Sequence, residues 1–258
     1  MDSRLFSIEG KTILVTGGAR GIGLMMVKAF VEGGARVYIS SRKKTSCDLV
    51  AHELGRVGEC ISIPADLSQL EEVERLSALI KESEKGLDVL VNNAGSTWGA
   101  PLQDFPEKGW DKVMDLNLKS PFFLIQKLLP LLESASKPED PSRIINIGSV
   151  DGLHTPLFEN FSYAASKAGF HHLSRFLSSR LASRNINVNV IAPGPFDTDM
   201  MRPMLESMGD ARILENVPMK RLGTEHDAAG VAIFLASKAS AYITGAVLPV
   251  DGGLSGGI

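Results

Sequence analysis

Apolar residues in this chain follow two alternating patterns: short unbroken runs, and longer stretches spaced by three and four. Ile13, Leu14 and Val15, within residues 11–16, form a run without polar alternation, as a strand covered on both faces requires. The pattern then changes, and Leu24, Val27, Phe30 and Val31 recur at helical spacing. Further runs within 35–41, 60–67, 87–91, 143–149, 186–191 and 246–253 predict later strands. Residues 68–85 predict an amphipathic helix with Ser68 as its cap and Glu71 three positions on. Residues 107–133 predict one long helix, the stretch from Phe161 another, and about 225–236 the last. Strand alternating with helix over the whole length predicts an α/β fold, a single domain over 1–258 built on a doubly wound parallel sheet of about seven strands.

Composition narrows the classes without changing that architecture. Lys and Arg number 27 against 30 Asp and Glu, with no long run of one sign, so neither a nucleic-acid footprint nor a polybasic membrane surface is indicated. Hydrophobic residues make up 44%, enough for a core with no metal or disulfide staple. Cys47 and Cys60 lack metal-type spacing and read as reduced thiols of a cytoplasmic protein. No signal-peptide pattern opens the chain and no apolar run approaches a membrane span. The histidines at 52, 154, 171, 172 and 226 are scattered and suggest no metal.

The chemistry begins at the first strand's exit. Gly17, Gly21 and Gly23 fall between a strand and a helix, with Arg20 and Ile22 among them. Such a turn lets backbone approach a pyrophosphate, and the helix N-terminus offers free N–H groups and the positive end of a dipole. A Rossmann-type dinucleotide site is the reading. The second strand exits into Ser41, Arg42, Lys43 and Lys44, where an NAD-binding fold would carry an acid. A hydroxyl and a guanidinium there suit a 2′-phosphate, so NADP(H) is the expected cofactor, with Arg20 a second phosphate partner; the bland alternative is a solvated basic turn. Asp66, followed by Leu67, is placed to accept from the adenine amine. Asn93, Ala94 and Gly95 permit close backbone contact with a ribose, whereas Asn92 reads as a brace between strands.

Tyr163 and Lys167 are four residues apart at a helix start, hence on one face. A phenol beside an ammonium is expected to have a pKa below its ordinary value of about 10 and to hand a proton to a developing alkoxide. Ser149 arrives at the carboxyl end of the fifth strand, the edge where parallel sheets bind ligands. Asn117 lies inside an apolar helix; from the residues alone, capping a kink and holding a water near the site stand level.

Taken in order, Thr16-Gly17-x-x-x-Gly21-x-Gly23, Asn92-Asn93-Ala94-Gly95, Asn117, Ser149, Tyr163-x-x-x-Lys167 and Pro193-Gly194-x-x-x-Thr198 resemble the short-chain dehydrogenase/reductase family. The likeness covers about residues 8–253 and is nearest to NADPH-dependent 3-oxoacyl reductases of the rhamnolipid type. The resemblance implies that Ser149 hydrogen-bonds a substrate carbonyl, that Tyr163 donates the proton, and that Lys167 binds the nicotinamide ribose and acidifies Tyr163. It implies that Asn117 holds a water linking Lys167 to solvent, and that Pro193, Gly194, Phe196 and Thr198 lie along the nicotinamide and pyrophosphate. Phe196 departs from the branched aliphatic residue often found there. A homotetramer, or a dimer, is also implied. Leu124, Leu128, Phe176 and Leu177 exceed what one helix face needs.

Trp98, His154, Leu157, Phe158, Phe196, Met200 and Met204 are expected to surround a mostly apolar substrate, a small hydrophobic carbonyl compound or acyl thioester. His154 reads first as an ordinary loop residue and second as pocket lining, and Trp98 or Phe158 has the alternative of filling a core gap. The methionine-rich stretch predicts a flexible lid near 199–217; its alternative is a core-facing helix. Two other functions stay in view: an NAD(P)-dependent alcohol or steroid dehydrogenase working oxidatively, and a non-catalytic nucleotide-binding regulator.

Overall fold

The computed structural model describes residues 4–156, 158–202, 206 and 209–256. The strands are β1 (Thr12–Thr16), β2 (Arg36–Ser40), β3 (Cys60–Ser62), β4 (Val89–Asn92), β5 (Ser142–Ile147), β6 (Ile186–Pro193) and β7 (Val247–Val250). They form one sheet in the order β3-β2-β1-β4-β5-β6-β7, with every pairing parallel. The helices are α1 (Gly21–Glu32), α2 (Lys44–Leu54), α3 (Leu70–Ser83), α4 (Glu107–Met114), α5 (Ser120–Ala135), α6 (Phe161–Leu181), α7 (Asp210–Glu215) and α8 (Glu225–Ala236).

Because side chains alternate across a strand, each strand feeds two cores. Ile13 and Val15 face the layer with Met26, Val27 and Phe30 of α1 and Leu235 of α8. Leu14 faces the opposite layer, with Leu76 and Ile80 of α3 and Leu124 and Leu128 of α5. The strand order reverses between β1 and β4, so the crevice lies at their carboxyl ends.

Four local expectations are corrected. Helix α2 was not foreseen; only Cys47 and Ala51 of its residues are buried, so its apolar stripe is too thin to read. The third strand ends at Ser62 instead of reaching 67, although Ile63 N and Ala65 N still donate to Ile39 O at 2.8 Å and Ser41 O at 3.2 Å beyond its last paired residue. Ser68 does not cap α3: Gln69 occupies the N-cap without a side-chain bond, while Asp66 Oδ1 accepts from Ser68 N and Oγ. The long helix is interrupted by a π turn at Asp115–Lys119, where Ser120 N–H reaches Asp115 O. Pro121 cannot supply the N–H that Asn117 O would receive in an α-helix, so the ladder skips a residue there.

Leu124 and Leu128 are fully buried in the chain's own core and Leu177 packs against it. Of the four surplus apolar residues, only Phe176 faces outward, 54% exposed.

Candidate active site

The glycine turn is fastened from below by Thr16 and Asn93. Thr16 Oγ1 donates to Val91 O and accepts from Asn93 N and Ala94 N at 3.0 Å each. Asn93 Nδ2 donates to Thr16 O at 2.9 Å and Gly17 O at 3.1 Å. Its side chain therefore holds β1 to β4 and leaves the backbone of Asn93–Gly95 facing the crevice. Gly17 has φ +66°, and a Cβ there would fall 2.7 Å from Asn93 Nδ2. At Gly23 a Cβ would fall 2.4 Å from both Gly17 O and Asn93 Nδ2, so no side chain fits. The result is bare backbone around Gly17, Gly21 and Gly23 at the start of α1, with the Thr198 side chain across from Gly21. Those features fit a dinucleotide pyrophosphate.

At the exit of β2, Lys44 is committed to Asp48 at 2.6 Å. Arg42 and Arg20 are exposed and form no ion pair among the described residues, and Ser41 is half-buried. Asp66 spends one oxygen on Ser68. Leu67 is buried in the core beside α3 and α5, so only its backbone is available to a ligand. Ile22 packs on the core beside α1 and α8 from the first turn of α1. Asn92 Nδ2 bonds Asn146 Oδ1 at 2.8 Å, bracing β4 against β5. Pro193 ends β6, and Gly194 N continues the pairing to Val250 O at 3.0 Å.

Ser149 and Tyr163 meet at the carboxyl edge. The Ser149 side chain stands close enough to the Tyr163 phenol to favour its phenolate. Ser149 Oγ also accepts from Asp151 N at 3.2 Å. Lys167 lies one turn along α6, its Nζ 5.5 Å from the Tyr163 ring centre and donating to Ile147 O at 2.7 Å. The acidified phenol expected from sequence is not what this arrangement produces. Burial pushes Tyr163 up to about 12; the Ser149 hydroxyl opposes this and the Asp151 charge adds to it. Burial likewise pulls Lys167 down to about 8, with Asp151 opposing. Desolvation disfavours the charged form of both groups.

Asn117 sits in the π turn and is 1% exposed. Its Oδ1 accepts from Ser96 N at 2.9 Å, and its Nδ2 donates to Ser96 O at 2.9 Å and Ser166 Oγ at 3.0 Å. Both amide protons are used, so the side chain ties the loop after β4 to α6.

Two residues escaped the sequence reading. His171, one turn beyond Lys167, is 2% exposed, and its Nε2 accepts from Ser149 N at 3.4 Å. A Cβ at Gly148 would fall 2.1 Å from that nitrogen, so the glycine before Ser149 is what admits the ring. Burial, with the Lys167 and Arg175 charges, pushes the imidazole down to about 4, keeping it neutral and able to accept. Asp151, two residues beyond Ser149, is held by Asn160 Nδ2 at 2.9 Å. A histidine at i+4 from Lys167 was the available signal for the first; nothing local marks the second.

The expected pocket residues divide. Trp98 is seated on α4, where a Cβ at Gly109 would meet its ring and Lys112 Nζ lies 5.2 Å from its centre. Phe196 is buried against Gly223, so its ring fills a core gap between two loops. His154 Nδ1 faces Thr155 O at 3.0 Å, while its Nε2 is buried without a partner. Phe158 is half-buried in the crossover and Met200 is 44% exposed. Leu157 and Met204 lie outside the described residues.

Residues 17–255 match a family model described as enoyl-(acyl carrier protein) reductase. The chain is 46% identical over 252 residues to the rhamnolipids biosynthesis 3-oxoacyl-[acyl-carrier-protein] reductase of Pseudomonas aeruginosa, covering 96% of this chain and 97% of that protein. This chain belongs to the short-chain dehydrogenase/reductase family. A second member, 3-oxoacyl-[acyl-carrier-protein] reductase FabG of Chlamydia muridarum, is 38% identical over 253 residues, 96% of this chain and 98% of that one. Among solved structures of the family, the Pseudomonas aeruginosa RhlG/NADP active-site complex superposes with a TM-score of 0.94 at 45% identity, covering 98% of this chain and 99% of that one. Among the described residues, no helix is long and apolar enough to cross a membrane.

Proposed function

We propose that this oxidoreductase reduces the ketone of a 3-oxoacyl thioester or a small hydrophobic carbonyl compound to a secondary alcohol, using NADPH, in the cytoplasm. The observation that carries this reading is the meeting of the Ser149 and Tyr163 hydroxyls at the carboxyl edge of β5, with Lys167 beside them. NADPH, when bound, supplies the hydride. Gly17, Gly21 and Gly23 receive its pyrophosphate, Arg42 and Ser41 its 2′-phosphate, with Arg20 beside them. Asp66, the Leu67 backbone, Ala94 and Gly95 flank the adenosine; Pro193, Gly194 and Thr198 flank the other half.

Ser149 donates to the substrate oxygen, a role for which its oxygen is oriented by Asp151 N–H. Tyr163 donates a proton to the same oxygen. Its pKa, pushed up to about 12, keeps the phenol protonated at neutral pH, which is the state reduction requires. The oxidative alternative needs the phenolate, which burial disfavours. Lys167 fixes the ribose and returns a proton toward Tyr163, and Asn117 keeps the intervening loop in place. The lid expected near 199–217 falls partly outside the described residues; Phe158, His154 and Met200 flank the substrate, and Asp199 and Arg202 pair at 3.0 Å.

The family model's description favours a second reading, reduction of an enoyl double bond. Two hydroxyls converging on one oxygen suit a carbonyl better, since an alkene must take its proton at carbon. NADPH consumption measured on 3-oxoacyl thioesters, hydrophobic ketones and 2-enoyl thioesters separates these: turnover is expected on the first two, and turnover on enoyl thioesters alone would overturn the reading.

We also infer a homotetramer or dimer. An apolar groove between α4–α5 and α6 is lined by Met114, Leu118, Phe122, Phe123, Leu173 and Phe176, and a second copy of the same face is its occupant. Phe176→Asp is expected to lower the mass seen by sedimentation; an unchanged mass would place the interface elsewhere.

A further inference from the structure

The crossover from Ser149 to Tyr163 is tied at its two ends. Asp151 lies on the short 3-10 turn Val150–Gly152 that follows Ser149, and Asn160 precedes the first residue of α6. Their side chains meet at 2.9 Å, Nδ2 of Asn160 donating to Oδ2 of Asp151. Asn160 occupies a helix N-cap, where an asparagine normally accepts from the first turn and contributes about 1 kcal/mol. Here it makes no capping bond, and its Oδ1 is buried without a partner. The cap is forgone and the amide is drawn to the carboxylate instead.

We propose that Asp151 is a positioning residue of the reductase: its bond to Asn160 fastens the Ser149 turn to the start of the Tyr163 helix, and its charge acts on the Tyr163–Lys167 pair. The inference rests on the carbonyl-reductase reading above. Asp151 shapes the site twice, through its backbone N–H on Ser149 Oγ and through its carboxylate. The charged or titratable groups facing it are His154 in the crossover and Tyr163 and Lys167 on α6; His171 lies against the far side of Gly152. Strand β6 also packs against this turn and carries no charged side chain. Burial pushes the Asp151 carboxyl above its ordinary value, while Asn160, His154 and Lys167 pull it back.

The sign of the charge effect is the same on both partners. A nearby carboxylate favours the neutral phenol over the phenolate and the ammonium over the amine, and it raises both Tyr163 and Lys167. Removing it makes each lose its proton at lower pH, so the alkaline limb of the reduction profile moves toward neutrality.

Three forms of the holoenzyme test this by single-turnover reduction of acetoacetyl-coenzyme A, or of a hydrophobic aryl ketone if that is turned over faster, across the pH range. Asp151→Asn retains an acceptor for Asn160 and loses the charge. It is expected to hold the plateau rate within about threefold, with its alkaline limb displaced downward by roughly half a pH unit or more. Asn160→Ala retains the charge and loses the tie. It is expected to drop the plateau about tenfold with an unmoved limb and an unchanged NADPH affinity. If Asp151→Asn does not fold, as judged by NADPH binding and thermal melting, Asp151→Ser reads the same limb. A limb that stays in place without the carboxylate removes the charge effect, and an undiminished plateau in Asn160→Ala removes the tie. Wild-type enzyme inactive on every ketone would instead strike the reductase reading.

Discussion

Tyr163→Phe is expected to lower the single-turnover rate of ketone reduction by about a thousandfold, with NADPH affinity nearly unchanged. Phenylalanine fills the same buried volume on the same helix face, so the fold and the glycine turn are left alone. What disappears is the only phenol beside Ser149, and with it the proton source for the alkoxide. Ser149 still donates to the oxygen, which is why some rate remains. A variant that retains full activity in stopped-flow mixing with NADPH would remove the proton donor from this mechanism. Because burial keeps the phenol protonated until about pH 12, wild-type reduction should not require a depressed phenol pKa. The donor is ready throughout the neutral range, and the limit at high pH is set by whichever of Tyr163 and Lys167 loses its proton first.

The second large effect concerns cofactor choice. Arg42→Ala is expected to weaken NADPH binding by about 10- to 100-fold while leaving NADH nearly untouched, since one charge-assisted hydrogen bond contributes roughly 1.5–3 kcal/mol. Three basic residues follow Ser41, yet they are not equivalent. Lys44 is held by Asp48 within the first turn of α2, whereas Arg42 is exposed and without an ion pair among the described residues. Fluorescence titration with both nucleotides reads the difference directly. Equal losses for the two would mean that Arg42 acts on the fold of the β2–α2 turn and not on a 2′-phosphate.

Much of the site was legible because its signals are local. A positive φ at Gly17 and bare backbone at Gly23 are demands that only glycine meets, so the turn shows in the letters. Tyr163 and Lys167 fall on one face because a helix turns every 3.6 residues. The β-rich runs read as buried strands because both faces of the sheet are covered, which the two cores of the structure display. Where local signal was thin or was overridden, the reading failed. Helix α2 buries only two residues, Ser68 lost the cap to a turn organised by Asp66, and Pro121 broke a helix whose apolar spacing was otherwise continuous. Leu124 and Leu128 read as surplus because sequence does not disclose that α5 is covered by α3 as well as by the sheet.

By itself, then, the sequence determined the alternation of strands and helices, the glycine turn, the basic exit at Arg42 and the Tyr163–Lys167 spacing, since each depends on residues within a turn or two of one another. Tertiary structure alone decided the order β3-β2-β1-β4-β5-β6-β7, the placing of Ser149 against Tyr163, the His171 acceptor behind Ser149 and the Asp151–Asn160 tie. It also reversed the direction of the Tyr163 pKa. Proximity of an ammonium can be read from spacing, but the cost of burying charge depends on everything that excludes water from the pair, and that is assembled from β5, α6 and the turn between them.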